Sequence, residues 1–406
     1  MNQTVCILGR QPALGIAELE ALYGAKPLQP IGRNAVLVDI DAKTVPYERL
    51  GGSIKVAKFI TYIPSTELPG IVKYLSSILP EQFKHVPSGK ISIGLSLYGF
   101  QVNPGKINAY ALTLKKNLKS AQRGVRIIPN KATELNAAQV IHNDLTGKNG
   151  MELLLVKWGK RTVLAQTTAV QDIDAYAARD QARPKRDAKV GMLPPKLAQI
   201  IINLAGNHVI PLDAEFDPAH PVNKNPRLAR LLDPFCGTGV LLQEALLMGY
   251  DVFGTDLEPR MIEYSQVNLD WIAKQRPVTG ACKLEVGDAT NHLWNGFDVV
   301  AAETYLGQPL SGVPKPSVLA EIVQDVDTIH RKFLKNLARQ TSQGFRMCIA
   351  VPAWKTEQGF KHLPVLDSLE ELGYTRESFV HAKNSELLYY REDQVVAREL
   401  VVLIRK

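Results

Sequence analysis

LLDPFCGTGVLLQEAL, residues 231–246, decides how the chain is read. RLLDPF (230–235) reads as an apolar strand, Gly237-Thr238-Gly239 as a tight turn, and the apolar run after it as a helix. A strand passing through two glycines into a helix is the front of a βα unit. The glycines let the backbone approach a ligand at the strand's carboxyl end, where open α/β sheets bind. A third glycine would complete a dinucleotide fingerprint at position 242, which holds Leu242. Phosphate needs tight wrapping of the helix N-terminus, so NAD and FAD are disfavoured. A lone GxG is equally compatible with a packing turn.

Working outward, YDVFGTDL (250–257), CKLEVGD (282–288), FDVVAAE (297–303) and FRMCIAVP (345–352) read as further strands with helical stretches between them. SELLYYR (385–391) and VVARELVVLIR (395–405) read as an antiparallel hairpin around an EDQ turn. The pattern predicts a mainly parallel sheet covered on both faces, with an antiparallel edge. Three acids close the first three strands. Asp233 can face a cationic ligand end. Asp256 can accept both hydroxyls of a ribose. Asp288 can accept from an adenine amino group while the backbone of Ala289 meets the ring. Any one of them could instead cap a helix. Three in order on successive strand ends point to S-adenosyl-L-methionine, which carries no phosphate. The cofactor residues expected from this pattern are Asp233, Gly237, Gly239, Asp256, Asp288 and Ala289.

The 406 residues predict more than one core. VCILG (5–9), AVLVDI (35–40), KISIGLSLYG (90–99), MELLLVKW (151–158) and RTVLAQTTAV (161–170) read as strands. GIAELEALYG (15–24), INAYALTLKKNLKSA (107–121) and ELNAAQVIHNDLT (134–146) read as helices, which gives a mixed α+β pattern. Residues 176–196 read as a basic, Pro-containing connector, KLAQIIINLAG (196–206) as an apolar helix, and 211–228, with four prolines, as a loop.

The net charge of +8 is uneven. Residues 1–200 hold 27 Lys and Arg against 14 Asp and Glu, whereas 201–406 hold 21 against 26. The first half suits a polyanion and the second does not. The candidate phosphate contacts are Lys115, Lys116, Lys119, Arg123, Arg126 and Lys131, with Arg179, Arg183, Lys185 and Arg186 in the connector. No apolar run of about 18 residues occurs and the N-terminus lacks signal-peptide features, so a cytoplasmic protein without membrane contact is expected. Cys6, Cys236, Cys282 and Cys348 form no CxxC pair and the eight histidines no cluster. Reduced thiols and no metal site are expected.

DPFCGTG, TDL, GDA and the segment after the fourth strand resemble the THUMP-domain tRNA guanine-N2 methyltransferases of archaeal and eukaryotic type. Residues 167–206 resemble that family's junction, 136–145 its THUMP helix, and 1–65 the ferredoxin-like unit that often precedes THUMP. The resemblance implies a ferredoxin-like domain at 1–65, a THUMP RNA-binding domain at 66–175, and a connector with a Rossmann-like class I methyltransferase domain at 176–406. It implies strand order 3-2-1-4-5-7-6 and methylation of the exocyclic N2 of a guanine in tRNA. It also places Asp233, Pro234, Cys236, Gly237 and Gly239 in the cofactor loop, Asp256 with Leu257 at the ribose, Asp288 with Ala289 at the adenine, and Pro194 and Lys196 in a helix that shields the cofactor. A small activating protein subunit is a further candidate partner.

After the fourth strand the family usually has DPPY, where this chain has Glu303-Thr304-Tyr305-Leu306-Gly307-Gln308-Pro309. Glu303 can supply an acceptor for an exocyclic amino group and Tyr305 a ring for stacking on the base, so both are the candidate catalytic residues. The diproline is absent. An rRNA or DNA amino-methyltransferase, and a non-catalytic tRNA-binding or assembly protein, are the alternatives.

Overall fold

The computed structural model describes residues 3–84, 86–87, 89–118, 124–187, 192–206, 229–310 and 312–406. The chain forms two compact units. One comprises Met1–Pro12, Lys26–Glu48 and Ser53–Asp174; the other comprises Ala13–Ala25, Arg49–Gly52 and Ala175–Lys406.

The first unit is built on eight strands: β1 (Thr4–Leu8), β2 (Leu28–Ile31), β3 (Ala35–Val38), β4 (Ser53–Ile63), β5 (Ile91–Tyr98), β6 (Val125–Ile127), β7 (Gly150–Trp158) and β8 (Arg161–Val170). They form one sheet in the order β2-β3-β1-β4-β8-β7-β5-β6. The expected boundary at 65 does not interrupt it, because the long β4 pairs with β1 on one side and β8 on the other. Helix α1 (Pro12–Tyr23) falls in the second unit from Ala13 onward. Helices α2 (Leu68–Phe83) and α3 (Pro104–Asn117) turn Ile71, Leu75, Leu79, Ile107, Ala111 and Leu114 onto the sheet, the i, i+3, i+4 spacing of an amphipathic face. Helix α4 (Ala137–His142) begins with a capping box between Asn136 and Gln139. Lys55 is buried against Glu152, whose carboxylate also accepts from Ser96 and Thr167, so the internal charges are matched.

The second unit contains α5 (Ile173–Gln181) from Ala175 onward, α6 (Pro195–Ala205), β9 (Arg230–Asp233), α7 (Val240–Leu247), β10 (Asp251–Asp256), α8 (Pro259–Gln275), β11 (Cys282–Val286), β12 (Val299–Glu303), α9 (Pro316–Ala338), β13 (Arg346–Thr356), β14 (Gly359–Lys361), β15 (Tyr374–Arg376), β16 (Leu388–Tyr389) and β17 (Val396–Arg405). The sheet runs β11-β10-β9-β12-β13-β17-β15. Numbered along the chain this is 3-2-1-4-5-7-6, the order the resemblance implies. Strands β9 to β13 are parallel, and β17 is antiparallel to β13 and β15. The central strands are apolar throughout because alternate residues bury on opposite faces. Leu231, Ala301 and Cys348 join the core under α6 and α7, while Leu232, Ala302 and Ile349 join the core under α9.

The expected C-terminal hairpin is reduced to two pairs, Leu388↔Glu399 and Tyr389↔Arg398. The main partner of β17 is β13, because a ten-residue apolar strand needs cover along its full length. Helix α1 is anchored in this unit by two acids. Glu18 accepts the N–H groups of Gly51 and Gly52 at 2.9 and 2.8 Å, and the amide of Asn203 on α6 at 2.8 Å. Glu20 accepts the N–H groups of Val380 and His381. A Cβ at Gly51 would lie 2.0 Å from the carbonyl of Lys196, so only glycine permits this approach. The expected loop at 211–228 lies outside the described residues.

Candidate active site

A cleft of about 710 Å³ opens at the carboxyl ends of β9, β10, β11 and β12, where the strand order reverses about β9. This is where an open α/β sheet places its ligand. It is lined by Asp233, Pro234, Cys236, Gly237, Asp256, Leu257, Asp288, Ala289, Glu303 and Tyr305, so the fold gathers nearly all of the expected residues around one space.

Asp233 ends β9 and is 2% exposed. Its carboxylate accepts from the Phe235 N–H at 3.1 Å and has no cation partner among the described residues. Burial, with Asp256 and Glu303 nearby, pushes its carboxyl well above the usual range. A buried carboxylate without a counter-ion is costly, and a cationic ligand would relieve it. Cys236 is likewise buried, and its thiol is pushed far up by burial and by Asp233 and Asp256. That environment disfavours a nucleophilic thiolate.

Gly237 has φ +51° and donates its N–H to Asp256 Oδ2 at 2.9 Å, while Glu258 N–H reaches Oδ1 at 3.0 Å. Asp256 is pushed up by burial. Each oxygen retains acceptor capacity, so the side chain can take two hydroxyls of a sugar. Asp288 accepts from the Thr290 N–H at 2.8 Å, and Ala289 beside it is buried. Leu257 is 64% exposed at the mouth, an apolar surface for a flat ring.

Gly239 corrects an expectation. It has φ +80° and caps α7, but its α-carbon faces α8, where a Cβ would lie 2.9 Å from Ser265 Oγ. It shapes the loop and does not line the cleft. Pro194 caps α6 and Leu193, just before it, lines the cleft. Lys196 is half-buried, lies over the Tyr176 ring, and is lowered to about 8 by burial.

The opposite wall is the turn after β12. Glu303 forms an ion pair with Arg398 of β17. Thr304 is buried, donates its N–H to the Ala350 carbonyl at 3.0 Å, and holds its hydroxyl 2.7 Å from His330 Nε2. Burial lowers His330 to about 4. Tyr305 is 39% exposed, and Lys332 of α9 lies at the rim.

The connector arginines require a second correction. Arg179 and Arg183 are 9% and 4% exposed and are not surface phosphate contacts. Arg179 bonds Glu244 of α7 at 2.9 Å, and Arg183 bonds Thr238 in the glycine loop at 3.2 Å. The buried Glu244 and the capping loop need cationic and donor partners; Arg179 of α5 and Arg183 in the segment just after it supply them. Lys185 is half-buried with its Nζ 5.2 Å from the Tyr264 ring, and Arg186 is exposed. In the first unit Lys116, Arg126 and Lys131 are exposed and Lys115 is half-buried. Lys119 and Arg123 lie outside the described residues.

Reading the sequence missed Arg398, Thr304, His330 and Lys332. An Arg-Glu pair inside the apolar strand VARELVV was the available signal, since buried charges need partners. Among the described residues no three His, Cys, Asp or Glu side chains gather as a metal ion would require. No described helix is long and apolar enough to cross a membrane.

Residues 227–391 match a family model described as a methyltransferase domain. The chain is 30% identical over 197 residues to the tRNA (guanine(10)-N2)-dimethyltransferase of Methanothermobacter thermautotrophicus, covering 47% of this chain and 48% of that one. It is 27% identical over 170 residues to the enzyme of the same name from Pyrococcus abyssi, covering 38% and 44%. The chain thus spans about half the length of the curated relatives it matches. The crystal structure of TrmN from Thermus thermophilus superposes over 100% of both chains with a TM-score of 0.52 and 15% identity. The fold is the Rossmann-like class I methyltransferase fold.

Proposed function

We propose that the chain is an S-adenosyl-L-methionine-dependent methyltransferase acting on the exocyclic N2 of a guanosine in tRNA. The observation that carries this reading is the buried Asp233, without a cation partner among the described residues, beside Asp256 and Asp288 on three successive strand ends. These residues suit S-adenosylmethionine: Asp233 for its positive end, Asp256 for the ribose hydroxyls, Asp288 and Leu257 for the adenine. When bound, it supplies a methyl group on a cationic sulfur. The relatives named for guanine-N2 methylation support the choice of base and of tRNA.

The chain's own task is positioning, since the methyl donor is already a strong electrophile. Glu303 accepts a hydrogen bond from the amino group of the base, and Tyr305 offers its exposed ring for stacking. One N–H proton must leave as the nitrogen is methylated, and the Glu303 carboxylate is the acceptor at hand. The exposed basic residues Lys116, Arg126 and Lys131 hold the RNA backbone, the eight-stranded unit acting as the ferredoxin-like and THUMP regions. A cytoplasmic location is consistent with a tRNA substrate, and a small activating subunit is a further partner to test.

Isothermal calorimetry with S-adenosylmethionine tests the reading. Saturable binding that Asp256→Ala weakens supports it. Tight tRNA binding with no cofactor binding would favour the non-catalytic alternative.

A further inference from the structure

We infer that Arg398 is a positioning residue that aims Glu303 at the acceptor base, an inference that rests on the role given to Glu303 above. Glu303 ends β12 and pairs with Ala350 of β13, while Arg398 on β17 pairs with Pro352 of the same β13. The two charged residues therefore stand on either side of one strand, two strand spacings across and two residues along, roughly 12 Å apart at the backbone. Both long side chains reach across it, and the Arg398 Nε donates to Glu303 Oε1. A carboxylate one methylene shorter would have to stretch for this bond. Arg398 is 5% exposed and Glu303 lines the cleft, so the pair sits at the boundary between core and ligand space. Oε2 of Glu303 has no partner among the described residues, which leaves it to the amino group.

The backbone alone does not fix this wall. Residues 304–307 carry no regular structure, and Gly307 has φ +87°. Thr304 is pinned to Ala350 and His330, which anchors the main chain one residue on. Arg398 anchors the side chain. A guanidinium holds a carboxylate in a defined orientation where an ammonium supplies only a point charge, and loss of such orientation costs up to roughly a hundredfold in rate.

A double-mutant cycle on the full chain tests this, with Arg398→Gln, Arg398→Lys, Glu303→Gln and the Arg398→Gln/Glu303→Gln pair. The readouts are kcat and KM on a tRNA transcript and calorimetric binding of S-adenosylmethionine. Arg398→Gln should lower kcat by roughly tenfold or more, with cofactor Kd and RNA KM within about threefold. Arg398→Lys should recover part of the loss. The double variant should be no slower than Glu303→Gln alone, because Arg398 acts only through that carboxylate. Losses that multiply, or a fully active Arg398→Gln beside an inactive Glu303→Gln, would overturn the inference. A fully active Glu303→Gln would instead remove the role assigned to Glu303. If Arg398→Gln lacks a cooperative melt, Arg398→Lys with the Arg398→Lys/Glu303→Gln pair completes the same cycle.

Discussion

The backbone N–H of Gly237 donates to Asp256 Oδ2 at 2.9 Å, locking the glycine loop of the first βα unit to the acid of the second. The carboxylate is therefore aimed by backbone donors from both strand ends, Gly237 and Glu258. Such preorganisation lets its remaining lone pairs bind hydroxyls at little further cost. Asp256→Ala should weaken S-adenosylmethionine binding by roughly 10- to 100-fold, the loss of charge-assisted hydrogen bonds of about 1.5–3 kcal/mol. Calorimetry checks it, with a retained cooperative melt as control for folding.

Cofactor binding should release a proton. Asp233 has a carboxyl raised well above its ordinary value by burial and by neighbouring acids. A cation placed beside it favours the ionised form and lowers that value again. Between the two values binding expels a proton, and affinity rises with pH. Binding enthalpies in buffers of different ionisation enthalpy should differ for the native chain and coincide for Asp233→Asn. Identical native enthalpies in all buffers would contradict the assignment.

Glu18 makes a stability term of definite sign. Burial raises its carboxyl from 4.5 to about 7 despite bonds from Asn203, Gly52 and Gly51. The folded chain then binds more protons than the unfolded chain between those values. This contribution is present below about pH 4.5 and is lost as pH rises towards 7, on the order of 3 kcal/mol. Denaturant unfolding at pH 5 and pH 8 should show a larger stability difference for the native chain than for Glu18→Gln.

Exposed and buried basic residues should separate cleanly. Lys116→Ala, Arg126→Ala and Lys131→Ala should weaken tRNA binding without base selectivity, each lowering the salt slope by about one. Arg179→Ala should act on stability instead, costing about 3–5 kcal/mol by leaving the buried Glu244 uncompensated. Filter binding over a salt series and denaturant melts distinguish the two classes.

The parallel sheet and its acids were legible because each signal is local: an apolar strand, then Gly237 or an acid at its end. Residues whose role depends on a distant partner were not. Arg179 and Arg183 read as phosphate contacts, since nothing near them in the sequence announces that Glu244 and Thr238 are their partners. Gly239 read as a cofactor glycine because spacing cannot tell a ligand from Ser265. Arg398 stands 95 residues from Glu303, and only the placement of β17 beside β13 brings them together. Helix α1 joins the second unit through Glu18 and Glu20, whose backbone partners carry no pattern at all.

The most direct measurement is transfer of a labelled methyl group from S-adenosylmethionine to unfractionated tRNA, followed by nucleoside analysis. Label recovered in N2-methylated guanosine, and lost with Glu303→Ala while tRNA binding stays within a few-fold, is the predicted result. Label on another nucleoside, or none despite bound cofactor and tRNA, would contradict it.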